Sequence, residues 1–323
     1  MGATSVVKTA YVTVLASTNY IAAGGAHAFP YASWANAATS LSAAVNAAIE
    51  GGVILVSNGT YYSSAVKIRR GILMRGVDGA SNTIIQGGER FQISHSNAVF
   101  EGFTVTKTEG ILMADGTVRD CALVANYFYG AAGGGGIRLN AGALYRCRIQ
   151  SNTNWATVNE WTYGGGVYMG GGMVSNCLII SNYAGAASGY GGVGNGGGVY
   201  MTGGTLMYCT ILSNDTRSST GWEYGNGGGV RLTAGTVKNC LIARNSGPGA
   251  GGGVHMSGAG SRMVNCTITD NTTWTADSGG LYMSGGGVTN TIVYFNKKNS
   301  DQSTANVAKS GGAFSFSCAT PAV

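Results

Sequence analysis

The chain has 323 residues, of which 56 are glycine and only 3 proline, with 44% hydrophobic and 10% charged. Its 19 basic and 13 acidic side chains give a formal net charge of +6, scattered without runs; that permits weak affinity for anionic polymers but is not the basic footprint of a nucleic-acid protein. No stretch of eighteen apolar residues occurs, so this segment is not expected to insert into a membrane.

In chain order, the opening MGATSVVKTAYVTV lacks an apolar signal core and is expected to follow a removed leader, its first residues belonging to expression design. Residues 33 to 52, SWANAATSLSAAVNAAIEGG, form the one convincing helix. Thr39 or Ser40 can cap it, Leu41, Val45 and Ile49 share a face, and Gly51 stops it. Residues 1–52 are therefore an N-terminal segment whose helix covers the open apolar end of the adjoining domain, and 53–323 form that domain, continuous with the cap. A strand at Val53 to Val56 and the turn Asn58-Gly59-Thr60-Tyr61 come next. Irregular units run through Lys67 to Met74, Thr83 to Gln86 and Phe91 to Thr106.

From Gly110 onward the chain repeats itself, most clearly in GGGVYMGGGMVSNCLIISN, Gly164 to Asn182. Cysteines fall at 121, 147, 177, 209, 240 and 266, Thr291 takes the seventh slot, and Gly102 is read as an earlier one. An asparagine follows each of the seven slots by five residues, from Asn126 to Asn296. An aliphatic residue precedes each slot by ten, the exception being Val254 at twelve. A period of 25 to 32 residues with constant segments and one variable loop marks a solenoid. Val167-Tyr168-Met169 alternates with a period of two, so the segments are strands. Strands this short pair along their length only if stacked in parallel, coil on coil. The predicted fold is an all-β, right-handed parallel β-helix of roughly ten coils, about 50 Å long.

The C-terminal part is less regular, with a last strand predicted over Ala313 to Cys318 and no evident cap. End-to-end self-association through that coil, as in a filament or stalk subunit, is one expectation.

The segment after the helix is similar to V-x-V-x-x-G-T-Y, carried by Ile54, Val56, Gly59, Thr60 and Tyr61, and resembles the start of many pectin lyase-like proteins. Ile54 in the first valine slot is a conservative departure. The recurring G-G-G-[VI] and I-x-x-N, as in Gly164 to Val167 and Ile179 to Asn182, are similar to motifs of chlamydial polymorphic outer-membrane proteins and bacterial surface β-helix repeat proteins. The resemblance covers about residues 40 to 318. It implies a fold shared by adhesins, stalks, polysaccharide lyases and hydrolases, and leaves function open.

Each repeat cysteine is expected to point inward as a small apolar filler. With one per coil and no CxxC pair, a metal cluster is not expected, nor is any cofactor. Adjacent cysteines are close enough for disulfides, which the sequence leaves open. The asparagines are expected inward, bonding turn backbone and one another.

The residue after each lead aliphatic faces out, giving Leu112, Arg138, Tyr168, Tyr200, Arg231, His255 and Tyr282 along one face. Such a row can hold an extended polysaccharide or cell-surface glycan through aromatic and basic side chains, or simply cover the sheet. Between Asn and the glycine run lie segments rich in aromatics, among them Trp155, Trp161, Tyr163, Tyr190, Trp222, Tyr224 and Trp274, read as protruding loops that bind glycan or pack on one another. Glu160 and Glu223 each stand four residues before a glycine run, roughly 10 Å apart if the loops superpose, which would suit a glycoside hydrolase. A calcium-dependent lyase would need clustered acids, and Asp215, Asp270 and Asp277 fall on different coils. The expectation is a non-catalytic module of a secreted or bacterial cell-surface protein, structural or adhesive and binding glycans. The alternative is a polysaccharide-degrading enzyme with its site between residues 153 and 226.

Overall fold

The computed structural model describes residues 15–62, 65–157, 160–186, 192–218, 225–274, 278–299 and 301–319. Their strands stack into parallel sheets of 20, 11 and 7 members, with a further pair at Thr162–Tyr163 and Gly194–Asn195. This is a right-handed parallel β-helix. Among the described residues no helix is long and apolar enough to cross a membrane.

One coil shows how the repeat folds. It comprises the strands Val167–Met169, Met173–Ser175, Leu178–Ile180 and Tyr183–Ala186. Each pairs residue for residue with the next coil, Val167 with Val199, Val174 with Leu206, Ile179 with Ile211 and Ala184 with Thr216. The chain turns between them through left-handed residues: Gly172 at φ 70°, Asn176 at 52° and Ser181 at 56°. The same two corners recur with side chains of every kind, Arg146, Tyr208 and Asn239 at one and Ala125, Arg244 and Phe295 at the other, all at φ between 52° and 58°. A non-glycine residue held there costs on the order of 1 kcal/mol, and it persists because pairing above and below dictates the bend.

Inward positions form columns. Ile137, Val167, Val199 and Val230 are fully buried, as are Leu139, Met169, Met201 and Leu232 and then Ile149, Ile179, Ile211 and Ile242. Each such side chain contributes about 1.5–3 kcal/mol by leaving water. The cysteine column joins this core, and all seven thiols of the chain are free. Cys177 Sγ donates to Ser175 O at 3.2 Å, a contact repeated in each coil. Gly102 does not occupy the earlier slot. Register places Phe103 opposite Cys121 and makes Gly102 the left-handed corner before it, at φ 77°. Phe103 is buried and stacks on Phe100 at 4.4 Å, so the wider early core takes a ring where later coils take a thiol.

The helix is shorter than predicted, Leu41–Ala47, with Ser40 Oγ accepting from Ala43 N at 3.1 Å. Ala48 is already extended, and upstream Ala37 and Ala38 are buried in bridging backbone that returns to Tyr20 and Ile21. The first sheet strand is Thr18–Ile21, paired in register with Val53–Val56. The solenoid thus begins within the N-terminal segment, and the helix, burying Leu41, Ala44 and Val45, packs against Thr18–Ile21 and Lys67–Ile68.

The asparagine column is the most regular polar feature. Asn182 donates from its backbone N and from Nδ2 to Asn214 Oδ1, both at 2.9 Å, and from Nδ2 to Ile149 O at 2.9 Å. Asn214 does the same toward Asn245 and Ile179. The ladder runs from Thr108 through Asn126 to Asn296 and ends on Asn306. Against it lies the glycine run, where a Cβ on Gly166 would meet Asn182 Nδ2 at 2.9 Å and one on Gly165 would meet Tyr183 O at 2.3 Å. Only glycine lets the backbone pass that close.

Asn214→Leu removes an acceptor shared by two buried donors of Asn182 and the amide donor that Asn214 gives to Ile179 O. The expected loss is about 3 kcal/mol or more. Denaturant unfolding checks it, and a variant with unchanged midpoint and slope would show the ladder to be dispensable. The thiols give a second test. Hydrogen bonding from the neighbouring cysteine, then burial, pushes Cys209 and Cys240 up to about 12. A raised folded pKa adds stability that is complete below the unfolded value and is lost as pH climbs toward the folded one. Stability should therefore fall between about pH 9 and about pH 12, and at neutral pH a thiol reagent should label Cys318 alone until the chain unfolds.

Candidate functional site

The outward row predicted from sequence is one continuous ladder. Register sets Leu112, Arg138, Tyr168, Tyr200, Arg231, His255 and Tyr282 side by side, with Gln92 before them and Ala308 after. No carboxylate stands in that row. The Arg138 guanidinium lies 4.1 Å over the Tyr168 ring, and Tyr168 stacks on Tyr200 at 5.6 Å and 25°. Arg231 donates to His255 Nδ1, and His255 packs on Tyr282 at 4.7 Å; held between them, His255 is buried, contrary to the expectation that it faces water.

Because rings one strand apart face each other along the rod, their flat faces are used within the ladder. What they turn outward is edges, hydroxyls and guanidinium nitrogens. The row offers hydrogen bonds and positive charge more than a stacking platform. Tyr163, from the strand Thr162–Tyr163, folds onto Tyr200 at 4.6 Å, closing one side. Burial, then the neighbouring tyrosine, pushes both the Tyr163 and Tyr200 hydroxyls up, so they remain protonated donors at neutral pH. Burial lowers Arg231.

The segments expected to be loops begin as regular structure. Tyr127–Tyr129, Thr153–Ala156, Tyr183–Ala186 and Asp215–Ser218 are strands of the seven-stranded sheet. Their polar backbone pairs with neighbouring coils, so these stretches belong to the sheet and not to protruding loops. Trp155 is therefore a strand residue, half-buried, stacked on Tyr183 at 5.9 Å and 20°. Register sets Tyr129 beside it, and Tyr127 and Tyr129 are 49% and 55% exposed at the edge of that sheet. Both belong to the aromatics that the sequence places between an asparagine and its glycine run, and both stay exposed at the sheet edge. The signal for them is their place after Asn126, directly above Thr153 and Trp155. The sheet's aromatic patch lies across the glycine corner from the Arg138–Tyr282 ladder, so the predicted residues divide between two faces.

Trp161 and Trp274 are exposed. Tyr190, Trp222, Glu223 and Tyr224 lie outside the described residues, as does Asp277. Glu160 is exposed, its Oε2 accepting from Thr157 N at 3.4 Å, and Glu223, its expected partner, is not among the described residues. Asp215 is engaged by Ser246 Oγ at 2.9 Å. Among the described residues no group of three or more His, Cys, Asp or Glu is placed to hold a metal ion.

Tyr200→Ala removes the ring on which Tyr163 and Tyr168 both rest. The expected result is faster amide exchange at Thr162 and Tyr163 with little change in the core columns, measured by hydrogen exchange; unchanged exchange there would mean that the loop holds itself. No protein-family model, curated protein or solved structure matches this chain, and its fold stands on the strand register and core described above.

Proposed function

We propose that this chain is a non-catalytic β-helix module of an extracellular or cell-surface bacterial protein, of the pectin lyase-like kind, that makes adhesive contact with an extended glycan. The observation that carries the reading is the Arg138–Tyr168–Tyr200–Arg231–His255–Tyr282 ladder, in register and without a carboxylate. Side chains one strand apart, about 4.8 Å, present donors at a regular interval along a straight line. A linear polymer bearing hydroxyl and acidic groups meets such a line many times, and many weak contacts add to useful avidity. The half-exposed Tyr127 and Tyr129 beside Trp155 supply ring faces for stacking on a neighbouring face. The core columns and the asparagine ladder keep the line straight.

The test is retention of the purified protein on a panel of acidic and neutral polysaccharides, with reducing ends assayed over time. Expected are salt-sensitive retention on an acidic member, no new reducing ends, and weakening of about tenfold or more on Arg138→Ala/Arg231→Ala. Release of reducing ends that Glu160→Gln or Glu223→Gln abolishes would make the chain a polysaccharide-degrading enzyme instead. Absence of retention on the whole panel would overturn glycan binding.

A further inference from the structure

The early coils carry a second cluster, on the strands just past the first glycine corner. Arg75, Glu101, Arg119 and Tyr145 are register neighbours there. Glu101 is buried, and both its oxygens are taken, Oε1 by Arg75 Nε and Oε2 by Arg119 Nε. Arg119 Nη1 donates to Tyr145 Oη at 3.2 Å. At the adjoining corner Arg146 grips both oxygens of Asp120, Nε to Oδ1 and Nη2 to Oδ2 at 2.7 Å, with its guanidinium 4.6 Å over the Tyr145 ring.

A notch of about 430 Å³ lies between these groups, lined by Arg75, Val77, Glu101, Arg119, Asp120 and Arg146 with Gly76, Gly79 and Gly102. Its cause is local. The corner that carries Asp120 and Arg146 in later coils is Gly102 and Gly76 here, where a Cβ on Gly76 would meet Gly102 O at 2.3 Å. Two corner side chains are missing and the arginines stand around the gap.

A donor and acceptor count shows what fits. Every carboxylate oxygen facing the notch already accepts from an arginine. Both Nη atoms of Arg75, Nη2 of Arg119 and Nη1 of Arg146 have no hydrogen-bond partner among the described residues. Three cations against two anions leave one positive charge. The surplus is of donors and of charge together, and guanidinium forks match planar or tetrahedral oxyanions in shape. Glu101 and Tyr145 hold the Arg119 fork in place before any ligand arrives, which removes an ordering cost from binding.

We infer that this notch is an oxyanion-binding site that takes the sulfate or carboxylate group of an acidic saccharide. That the anion is carried by a saccharide rests on the function proposed above; the oxyanion site does not.

The experiment uses two probes. Titration calorimetry with inorganic sulfate reads the site itself, and retention on dextran sulfate against plain dextran reads the saccharide. Arg75→Gln/Glu101→Gln/Arg119→Gln replaces the buried carboxylate and both partners by neutral amides, so no buried charge is left alone, and its melting temperature reports folding. If it does not fold, Arg146→Gln, which leaves the Glu101 pairs intact, is read in the same way. Expected are saturable sulfate binding with a dissociation constant of about 10 mM or tighter, at least about tenfold weakening in the folded variant, and an intermediate loss for Arg75→Lys, which keeps the charge but not the fork. No saturable heat for the unaltered protein, or equal affinity in the folded variant, overturns the site. On dextran sulfate, loss of retention with the notch variant supports the saccharide assignment. Loss only with Arg138→Ala/Arg231→Ala assigns the polymer to the ladder and overturns the notch as its reader, while leaving the proposed function standing. Sulfate binding without retention on dextran sulfate overturns the saccharide assignment.

Discussion

The structure depends on one packing condition: the backbone must cross from the end of each coil to the start of the next directly over a column of buried asparagines. Each asparagine accepts at its Oδ1 from two donors of the preceding one and donates its Nδ2 to the next Oδ1 and to a carbonyl of the coil before. The side chain is thereby a segment of core hydrogen bonding as regular as the strands. Glycine must cover it, because any Cβ at Gly166 or Gly198 would fall on the amide beneath. The asparagines and the glycine runs, separate motifs in sequence, are two halves of one contact.

That contact sets the register of everything else. Once Asn182 is locked to Asn214, Ile179 must stack on Ile211 and Val167 on Val199, and the corners between them have no freedom left. This is why Arg244, Phe295 and Ala125 all adopt the same left-handed geometry although none of them favours it. The same constraint lines up outward side chains as faithfully as inward ones. A surface row in this fold is a consequence of core register, and a substitution that slips the core would scatter the row.

Within such rows, the neighbour decides what a side chain can offer to solvent. Where like meets like, as with Tyr168 and Tyr200, rings satisfy one another and leave edges to the outside. Where unlike groups meet, as with Arg75, Glu101 and Arg119, charges cancel in part and the remainder faces the solvent. Gaps arise where a corner loses its side chain, and Gly76 and Gly102 make one beside three arginines. The useful chemistry of the surface therefore sits at interruptions in the repeat and at the edges of sheets, where Tyr127 and Tyr129 also lie.

The sequence by itself determined the solenoid, its parallel strands, the inward cysteine and asparagine columns and the outward row from Leu112 to Tyr282. All of these are properties of a strict period, and a period survives in one dimension. It also narrowed the helix cap to Thr39 or Ser40, a contact between neighbours in the chain, and Ser40 takes it. Tertiary structure alone decided the rest. The helix began only at Leu41 because Ala37 and Ala38 were drawn into bridges to the first strand, and Thr18–Ile21 joined the sheet because Val53–Val56 offered a partner. Phe103 replaced Gly102 in the cysteine slot because register, not spacing, counts across irregular early coils. Trp155 left its loop for a strand, and the arginine notch appeared between residues as distant as 75 and 146. Each of these depends on which strand lies above which, and a pattern of spacings carries no signal of that where the repeat is broken.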